Sequence, residues 1–231
     1  MFFSTKRGTF FKRRRFVDIV SRNSGVAHAA AACCRWTYGL WGNAMKMSKL
    51  GYFFEFLLFP PLVLVAALFA FRGSMPPQPL TWAIVYGAGL MAWTLFEYVL
   101  HRVLFHHAPV LSQIHDRHHQ SPQELIGTPA WASAVVGLVA VASPCWVALG
   151  FDLGTAATAG LVTGYLWYVF VHYATHHWRP RRYSYLYRAR LRHAHHHHLS
   201  QSGNFGVTTA LWDHVFGTAI EARAPKFGRA K

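Results

Sequence analysis

Histidine motifs beside long apolar stretches constrain this chain more than any other feature. Ten of its sixteen histidines fall into four spaced motifs. The motifs are His101 with His106, His115 with His118 and His119, His172 with His176, and His193 with His196 and His197. Neutral imidazole is a common ligand for iron, copper and zinc. One such motif can arise by chance, but four of them beside apolar segments indicate a polynuclear metal site at a membrane surface.

Four apolar stretches, each of about twenty residues, predict how the chain folds. They cover residues 51–71, 80–104, 130–149 and 153–174. As a helix, each is long enough to cross a hydrocarbon core of about 30 Å, and Pro60 and Pro61 predict a kink in the first. We therefore expect an all-α integral membrane fold with four transmembrane helices and a cytoplasmic helical cap that holds a histidine-rich dimetal site.

The distribution of charge predicts the orientation of these helices. The formal net charge is +15, and the basic residues flank apolar segments, which fits anionic lipid better than nucleic acid. Between the stretches, residues 72–79 carry one basic side chain and residues 150–153 carry none. The opposite side holds the basic N-terminal residues together with Arg102, Arg117, Arg179, Arg181, Arg182, Arg188, Arg190 and Arg192. The positive-inside rule then predicts that both termini and the metal site are cytoplasmic.

Composition divides the chain into three parts. Residues 1–49 are basic with a single acid, Asp18, and we expect them to be poorly ordered, either as a transit-like segment or as an artefact of a start site at Met45 or Met47. Residues 50–219 form the expected catalytic domain, and residues 220–231 form a basic C-terminal tail. The cysteines Cys33, Cys34 and Cys145 give no disulfide framework, and Cys145 is predicted to be a packing residue.

Helical geometry explains most of the histidine spacings. Residues three or four apart share one face of a helix, so the second, third and fourth motifs can each direct at least two imidazoles to one point. His101 and His106 are five residues apart, or about 140° around an ideal helix, and need a helix end or a distortion to converge. Pro109 is expected to supply it, because residues before a proline leave the helical conformation.

Ten imidazoles exceed the number that one metal ion accepts. They suit two metals, each with about five protein ligands and an open position, about 3.5–4 Å apart. An all-nitrogen ligand set does not by itself select iron over copper or zinc. The other histidines are expected not to be ligands, although one of them, His214, could support the site. These are His28, His107, His177, His195, His198 and His214.

Carboxylates are scarce, and three of them are candidates for supporting the metal ligands. Glu97 lies one turn before His101 within an apolar stretch, where a lone acid is costly unless it has a partner. That partner is either a ligand histidine, through a hydrogen bond, or one of the two basic residues Arg102 and Arg72. Asp116, within the second motif, and Asp213, next to His214, are similar candidates.

Taken together, the motifs resemble the fatty acid hydroxylase / sterol desaturase superfamily of membrane non-haem di-iron oxygenases. The resemblance covers about residues 52–219. Its motifs are Phe96-Glu97-Tyr98 before His101 and His106, His115-Asp116-Arg117-His118-His119, Tyr168 before His172-Tyr173 and His176-His177, His193 before His196-His197, then N-F-G-V-T at 204–208 and L-W-D-H-V-F-G-T at 211–218. It implies two iron ions held by the ten histidines, which zinc could replace in a purified protein. It also implies that dioxygen and external electrons are used to hydroxylate or desaturate an acyl chain or a sterol.

Within that superfamily, the compact form is most similar to the catalytic domains of fatty acid 2-hydroxylases. Those enzymes often carry a fused cytochrome b5 domain that this sequence lacks, so the resemblance implies a separate donor of the cytochrome b5 or ferredoxin type. The aspartate that 2-hydroxylases tend to have after the tyrosine of the third motif is Val169 here, which leaves the exact lipid open. The alternative is a carotenoid ring hydroxylase, which resembles this chain in the short spacing between His106 and His115 but lacks its C-terminal motif.

Two functions other than catalysis also fit a histidine-rich membrane protein. A metal transporter usually places its ligands near the middle of the bilayer, whereas these histidines lie at the ends of the apolar stretches. A structural zinc protein usually has a closed site with four ligands and several cysteines. Both are less consistent with ten histidines at one membrane surface than an oxygenase is.

Overall fold

The computed structural model describes residues 46–73 and 76–220, and within these ranges the fold is helical apart from one antiparallel bridge between Lys46 and Ile126. The helices are α1 (Lys49–Phe53), α2 (Glu55–Arg72), α3 (Pro79–Val99), α4 (Pro109–Gln120), α5 (Ala130–Val136), α6 (Ser143–His177), α7 (Tyr185–His198) and α8 (Leu211–Val215). Two π-helical stretches, Leu100–Phe105 and Gly137–Ala142, continue α3 and α5. Most of the predicted N-terminal segment, with His28, Cys33 and Cys34, and most of the predicted tail lie outside the described residues.

Three helical segments in this part of the chain are long and apolar enough to cross a membrane. They are Lys49–Arg72, Pro79–Phe105 and Ala130–His177, the last with 48 residues. Large apolar side chains on all three, such as Leu64, Ile84 and Val139, are exposed on the outside of the bundle. So much apolar surface suits lipid and not water. The all-helical membrane fold expected from the sequence is therefore observed.

The longest of these segments changes direction at Gly150. This residue has φ of 73° and ψ of 169°, a conformation that glycine adopts without steric cost. In a continuous helix, residues nine apart would be separated by about 13 Å. Here a Cβ atom added to Gly154 would lie 2.6 Å from the carbonyl oxygen of Cys145. The residues on either side of Gly150 therefore pack against each other as a hairpin, and Cys145 is a half-buried free thiol at this contact.

Small residues allow α3 and α6 to pack closely. A Cβ atom at Gly160 would overlap the carbonyl oxygen of Tyr86, and one at Gly89 would overlap that of Ala157. Close backbone contact through small residues is typical of helix pairs in membranes. The pairing brings the C-terminal ends of α3 and α6, which carry the first and third histidine motifs, to the same end of the bundle.

The segment after α7 is attached to α3 through aromatic and polar contacts. The Tyr98 ring stacks on Phe216 with centroids 5.2 Å apart, and the indole N–H of Trp212 donates to Thr94 Oγ1 at 2.9 Å. The backbone of residues 203–208 is buried between these helices. This loop lies beside the second, polar part of the fold, which is formed by α4 and α7.

Candidate metal centre

A widened helical turn brings the first two histidines together. His101 lies in the π-helical stretch Leu100–Phe105, where hydrogen bonds join residues five apart. The rings of His101 and His106 consequently stack, with centroids 5.4 Å apart and an angle of 18°. The sequence predicted a distortion at Pro109. Ala108 does leave the helical conformation there, but the convergence comes from the π-helical turn that precedes it.

The ten predicted histidines form two groups of five. Within each group, one ring nitrogen per histidine lies within 4.8 Å of every other. The first group consists of His101, His106, His115, His119 and His196, and the second consists of His118, His172, His176, His193 and His197. Pairs four residues apart on one helix belong to the same group, and α4 and α7 each contribute histidines to both groups. The two groups are therefore adjacent.

Within each group the Nε2 atoms face one another. The Nε2 atom of His115 is 3.0 Å from that of His101 and 2.9 Å from that of His119. In the second group, the Nε2 atom of His193 is 2.9 Å from that of His176 and 3.1 Å from that of His197. Two ligands at right angles on one metal, each about 2.1 Å from it, would be about 3.0 Å apart. These spacings fit a shared metal ion.

Backbone carbonyls determine which ring nitrogens can bind a metal. A carbonyl oxygen can only accept, so the Nδ1–H of His101 donates to Phe205 O at 2.6 Å, and that of His196 donates to Gly203 O at 2.9 Å. In the neutral ring, Nε2 then carries a lone pair, and it points at the other Nε2 atoms. Converging lone pairs repel each other without a cation between them, which is the chemical signature of a metal site.

Burial keeps these imidazoles neutral. For the ligand histidines on α4 and α7, burial is the largest cause of a lowered pKa, and neighbouring histidines add to the effect. Together they lower the pKa of His118 and His119 to about 3 and that of His197 to about 2. Burial likewise lowers the pKa of His196 to about 4, although its hydrogen bond to Gly203 opposes the shift. Neutral imidazole is the form that binds metal, so the cluster is ready to bind at neutral pH.

Two buried carboxylates hold the loop that supplies these carbonyls. Glu97, 2% exposed, accepts hydrogen bonds from the backbone N–H groups of Val207 (2.7 Å) and Thr208 (2.8 Å) and from the Thr208 hydroxyl (2.5 Å). Asp213, 0% exposed, accepts from the N–H groups of Phe205 (2.9 Å) and Gly206 (2.8 Å). Both acids thus act on the ligand histidines through the 203–208 loop.

This arrangement differs from what the sequence predicted for the three acids. The Glu97 carboxylate contacts the loop and not a ligand histidine, and the Arg102 guanidinium donates to the Tyr98 hydroxyl at 2.8 Å instead of pairing with Glu97. Asp116 is exposed and, among the described contacts, makes no hydrogen bond with a histidine. The carbonyls of Gly203 and Phe205 were not predicted, because backbone groups have no side-chain signal in the sequence. Only the glycines and asparagine of that stretch indicate a tight loop.

The remaining histidines of the described chain lie outside both groups. His107, His198 and His214 are exposed, and His195 is partly exposed. The His177 ring stacks on Tyr173 with centroids 4.3 Å apart. None of these five belongs to either set of converging nitrogens.

An apolar cavity of about 180 Å³ opens beside the histidines. Its walls include His115 from the first group and His118 and His172 from the second. The rest of the lining is mostly apolar or aromatic, with one carboxylate: Met47, Tyr52, Glu55, Phe105, Leu111, Ile114, Ile126, Gly127, Thr128, Tyr165, Tyr168 and Val169. Val169, the position where 2-hydroxylases tend to have aspartate, therefore faces this cavity. The sequence analysis did not single out Glu55, although it is a lone acid at the start of the first apolar stretch.

Comparison with known proteins places this geometry in a family. Residues 86–218, more than half of the chain, match the family model described as fatty acid hydroxylase. The chain is 35% identical over 185 residues to the dihydroceramide fatty acyl 2-hydroxylase FAH2 of Arabidopsis thaliana, covering 72% of this chain and 73% of that protein. It is also 35% identical over 144 residues to the fatty acid 2-hydroxylase of Macaca fascicularis, covering 57% of this chain.

The chain is also similar in fold to a solved structure. The chain matches the structure titled "Full length scs7p (only hydroxylase domain visible)" with a TM-score of 0.64 and 25% identity, covering 77% of this chain and 72% of that one. The present chain spans only 38% of the length of the macaque relative. The macaque protein therefore contains sequence beyond the matched region.

Proposed function

Because the chain belongs to the fatty acid hydroxylase family, we propose that it is a membrane-bound di-iron oxygenase that hydroxylates the acyl chain of a lipid. The names of its relatives, fatty acid 2-hydroxylase and dihydroceramide fatty acyl 2-hydroxylase, support hydroxylation next to the acyl carbonyl. They favour neither desaturation nor the carotenoid alternative. In balanced form, R–H, dioxygen, two electrons and two protons give R–OH and water.

The observation that carries this proposal is the convergence of ten Nε2-bearing imidazoles beside an apolar cavity. We assign the first group of five histidines to one iron ion and the second group to the other. When bound, the two metals supply the activation of dioxygen with external electrons. A purified protein could carry zinc instead, because imidazole binds both metals.

The residues of the chain would position the metals and the substrate. The carbonyls of Gly203 and Phe205 keep His101 and His196 in the tautomer that leaves Nε2 free. The apolar walls of the cavity, including Phe105 and Ile114, exclude water from the acyl chain. A lipid tail can enter from the bilayer between apolar helices, so the substrate need not pass through water.

Four membrane crossings are the topology that best fits the three long helical segments. A straight helix of 48 residues would be about 72 Å long, more than twice the 30 Å or so of a hydrocarbon core. The reversal at Gly150 divides it into two segments, each of a length suited to one crossing. Together with the positive-inside rule, this supports cytoplasmic termini and a cytoplasmic helical cap that holds the metals.

Residues 50–219 are proposed to be the catalytic domain, and electrons are proposed to come from a separate protein of the cytochrome b5 or ferredoxin type. All ten histidines lie between residues 50 and 219, and so do the described residues that line the cavity, except Met47. Each hydroxylation consumes two electrons besides the substrate's own, and a donor protein of this type would supply them.

The test is product analysis with isotopically labelled dioxygen. Membranes that contain the chain and a donor system are supplied with a labelled N-acyl lipid, and products are identified by mass spectrometry. We expect one labelled oxygen atom next to the acyl carbonyl. The matched control is His107→Ala, which removes an exposed neighbouring histidine and should retain the product. An unlabelled product, or a double bond in place of a hydroxyl group, would overturn the proposal.

A further inference from the structure

A single carboxylate stands out in the wall of the apolar cavity. Glu55 is 5% exposed and lines the same cavity as His115, His118 and His172. It lies in the first turn of α2, far in sequence from the four histidine motifs. The metal groups and the 203–208 loop do not use it, so its position requires a separate explanation.

Within the described part of the chain, only one of the two Glu55 carboxylate oxygens has a hydrogen-bond partner. The Tyr165 hydroxyl donates to Glu55 Oε2 at 2.6 Å. Glu55 Oε1 is buried and has no hydrogen-bond partner among the described residues. Aromatic rings pack around this pair, with Phe59 6.0 Å and Trp93 5.3 Å from the Tyr165 ring. The carboxylate is therefore held in one orientation while one acceptor remains free.

A free carboxylate oxygen in an apolar cavity is costly. Burying a polar group without a hydrogen bond destabilises the protein, and the cost is greater for a charge. A ligand with an N–H or O–H group can remove this cost by donating to Oε1. A ligand with its own carboxylate cannot, because two anions in a site of low polarity repel each other.

The position of Glu55 relates this donor to the reacting carbon. Its partner Tyr165 lies seven residues before His172 on the same helix, or about 10 Å along the axis. Glu55 and three ligand histidines line this one cavity of about 180 Å³, so a single bound ligand can contact both. The hydrogen-bond donor and the reacting carbon can therefore belong to the same lipid molecule.

We propose that Glu55 is a specificity-determining residue that selects lipids with an N–H or O–H group in the part that occupies the cavity and rejects free fatty acid anions. This inference rests on the proposed function in taking the cavity as the substrate site. An N-acyl lipid of the dihydroceramide type has both kinds of donor. Glu55 Oε1 accepts the donor's hydrogen, and the Tyr165 hydroxyl holds the carboxylate in place.

The test compares four probes with the same acyl chain by displacement of a fluorescent lipid from the purified, metal-loaded full chain without dioxygen. The probes are dihydroceramide, its N-methyl analogue, its O-methylated analogue and the free fatty acid. We expect one of the methylated analogues to bind about tenfold or more weakly than dihydroceramide, because a hydrogen bond to a charged group is lost. The analogue that loses affinity identifies whether N–H or O–H is the donor.

Variants separate the hydrogen bond from the steric effect of the added methyl group. Glu55→Leu should bind dihydroceramide and its methylated analogue with affinities that differ by less than about threefold. Glu55→Gln, which retains the shape, should lose part of the preference and bind the free fatty acid more tightly than the wild type does. Asp152→Asn removes a carboxylate that does not line the cavity and should keep the wild-type pattern.

Several results would overturn the inference: equal binding of all three neutral probes by the wild type, or a preference that persists in Glu55→Leu. If Glu55→Leu does not fold, the probe affinities of the wild type and of Glu55→Gln still test the inference. Failure of the proposed function is a separate result. If the wild-type protein shows the probe preference but hydroxylates no lipid, the proposed function fails and the binding role of Glu55 stands. If it hydroxylates a lipid without any probe preference, only the inference about Glu55 is rejected.

Discussion

The imidazole rings of His119 and His197 stack 4.1 Å apart at an angle of 14°, although the two residues belong to different histidine groups. His119 is on α4 and His197 is on α7, and each helix also contributes to the other group. Two metals bound to these groups would therefore share the same pair of helices. A change in either set of ligands should therefore affect the binding of both metals.

Removing one ligand from either group should abolish activity. His119→Ala and His176→Ala each delete one imidazole from a different group. We expect loss of oxygen-dependent lipid hydroxylation, at least about 100-fold, with normal membrane insertion. Metal content by mass spectrometry should fall in both variants.

The exposed histidines beside these ligands provide the controls. His107→Ala and His198→Ala should keep full metal content and activity, because neither residue belongs to a group. A wild-type hydroxylation rate in His119→Ala or His176→Ala would contradict the assignment of the ten histidines to two metals.

Loss of the Glu97 carboxylate should loosen metal binding without removing a ligand. Glu97→Ala leaves the N–H groups of Val207 and Thr208 unpaired in a buried loop, which costs about 1–3 kcal/mol for each group. The carbonyl of Phe205 then no longer holds His101 firmly. We expect metal affinity to fall about 10–100-fold, measured by competition with a chelator. Glu97→Gln keeps one acceptor oxygen and should lose less metal affinity than Glu97→Ala. Equal metal affinity in the wild type and Glu97→Ala would disprove the positioning role.

Much of the fold and of the histidine centre is predictable because both depend on local patterns. Apolar length predicts membrane helices, and four-residue spacing predicts which histidines pair. The division of His118 from His115 and His119 is not predictable, since it depends on how α4 and α7 cross. The π-helical turn at His101 and the carbonyl partners in the 203–208 loop are also not predictable, because these backbone features require no particular residue types. Glu55 was detectable as a lone acid in an apolar stretch, but its partner Tyr165 comes from a helix 110 residues away.

Close packing of α3 against α6 should be required for the metal centre. Gly160→Ala places a methyl group against the backbone of Tyr86. Because the overlapping atoms belong to the backbone, rotating a side chain cannot relieve the overlap. Overpacking of this kind costs about 1–3 kcal/mol, and the two helix ends that carry His101 and His172 would move apart. We expect a lower unfolding temperature in detergent and a reduced metal content.

The matched control for this change is on the partner helix. A Cβ atom at Gly87 would have no atom of the described structure within 4 Å, so Gly87→Ala should leave the unfolding temperature unchanged or higher. If both alanine variants were equally stable, contact between α3 and α6 through Gly160 would not contribute to stability.

Deletion of residues 1–44 should leave hydroxylation intact. Every histidine of the two groups, every described residue that lines the cavity and the Glu97 and Asp213 carboxylates lie after this segment. We expect the shortened chain, beginning at Met45, to insert and to hydroxylate at a rate within about twofold of the full chain when both are expressed at equal levels. The measurement is product formed per amount of bound metal; a large loss on this basis would assign a catalytic role to the N-terminal residues.

The metal-free protein should lose stability as the pH falls below neutrality. Burial lowers the pKa of His118 and His119 to about 3 and that of His196 to about 4, whereas the same side chains in the unfolded chain take up protons near pH 6.5. Below that pH the unfolded state binds more protons than the folded state, so the free energy of unfolding decreases as the pH falls from about 6.5 toward 4. Thermal unfolding of chelator-treated protein at pH 7.5, 6.5 and 5.5 should show this decrease. Replacing the exposed His107 and His198 should not reduce the slope, because neither residue belongs to the two histidine groups. A constant unfolding temperature across this range would mean that the cluster is not buried in the metal-free protein.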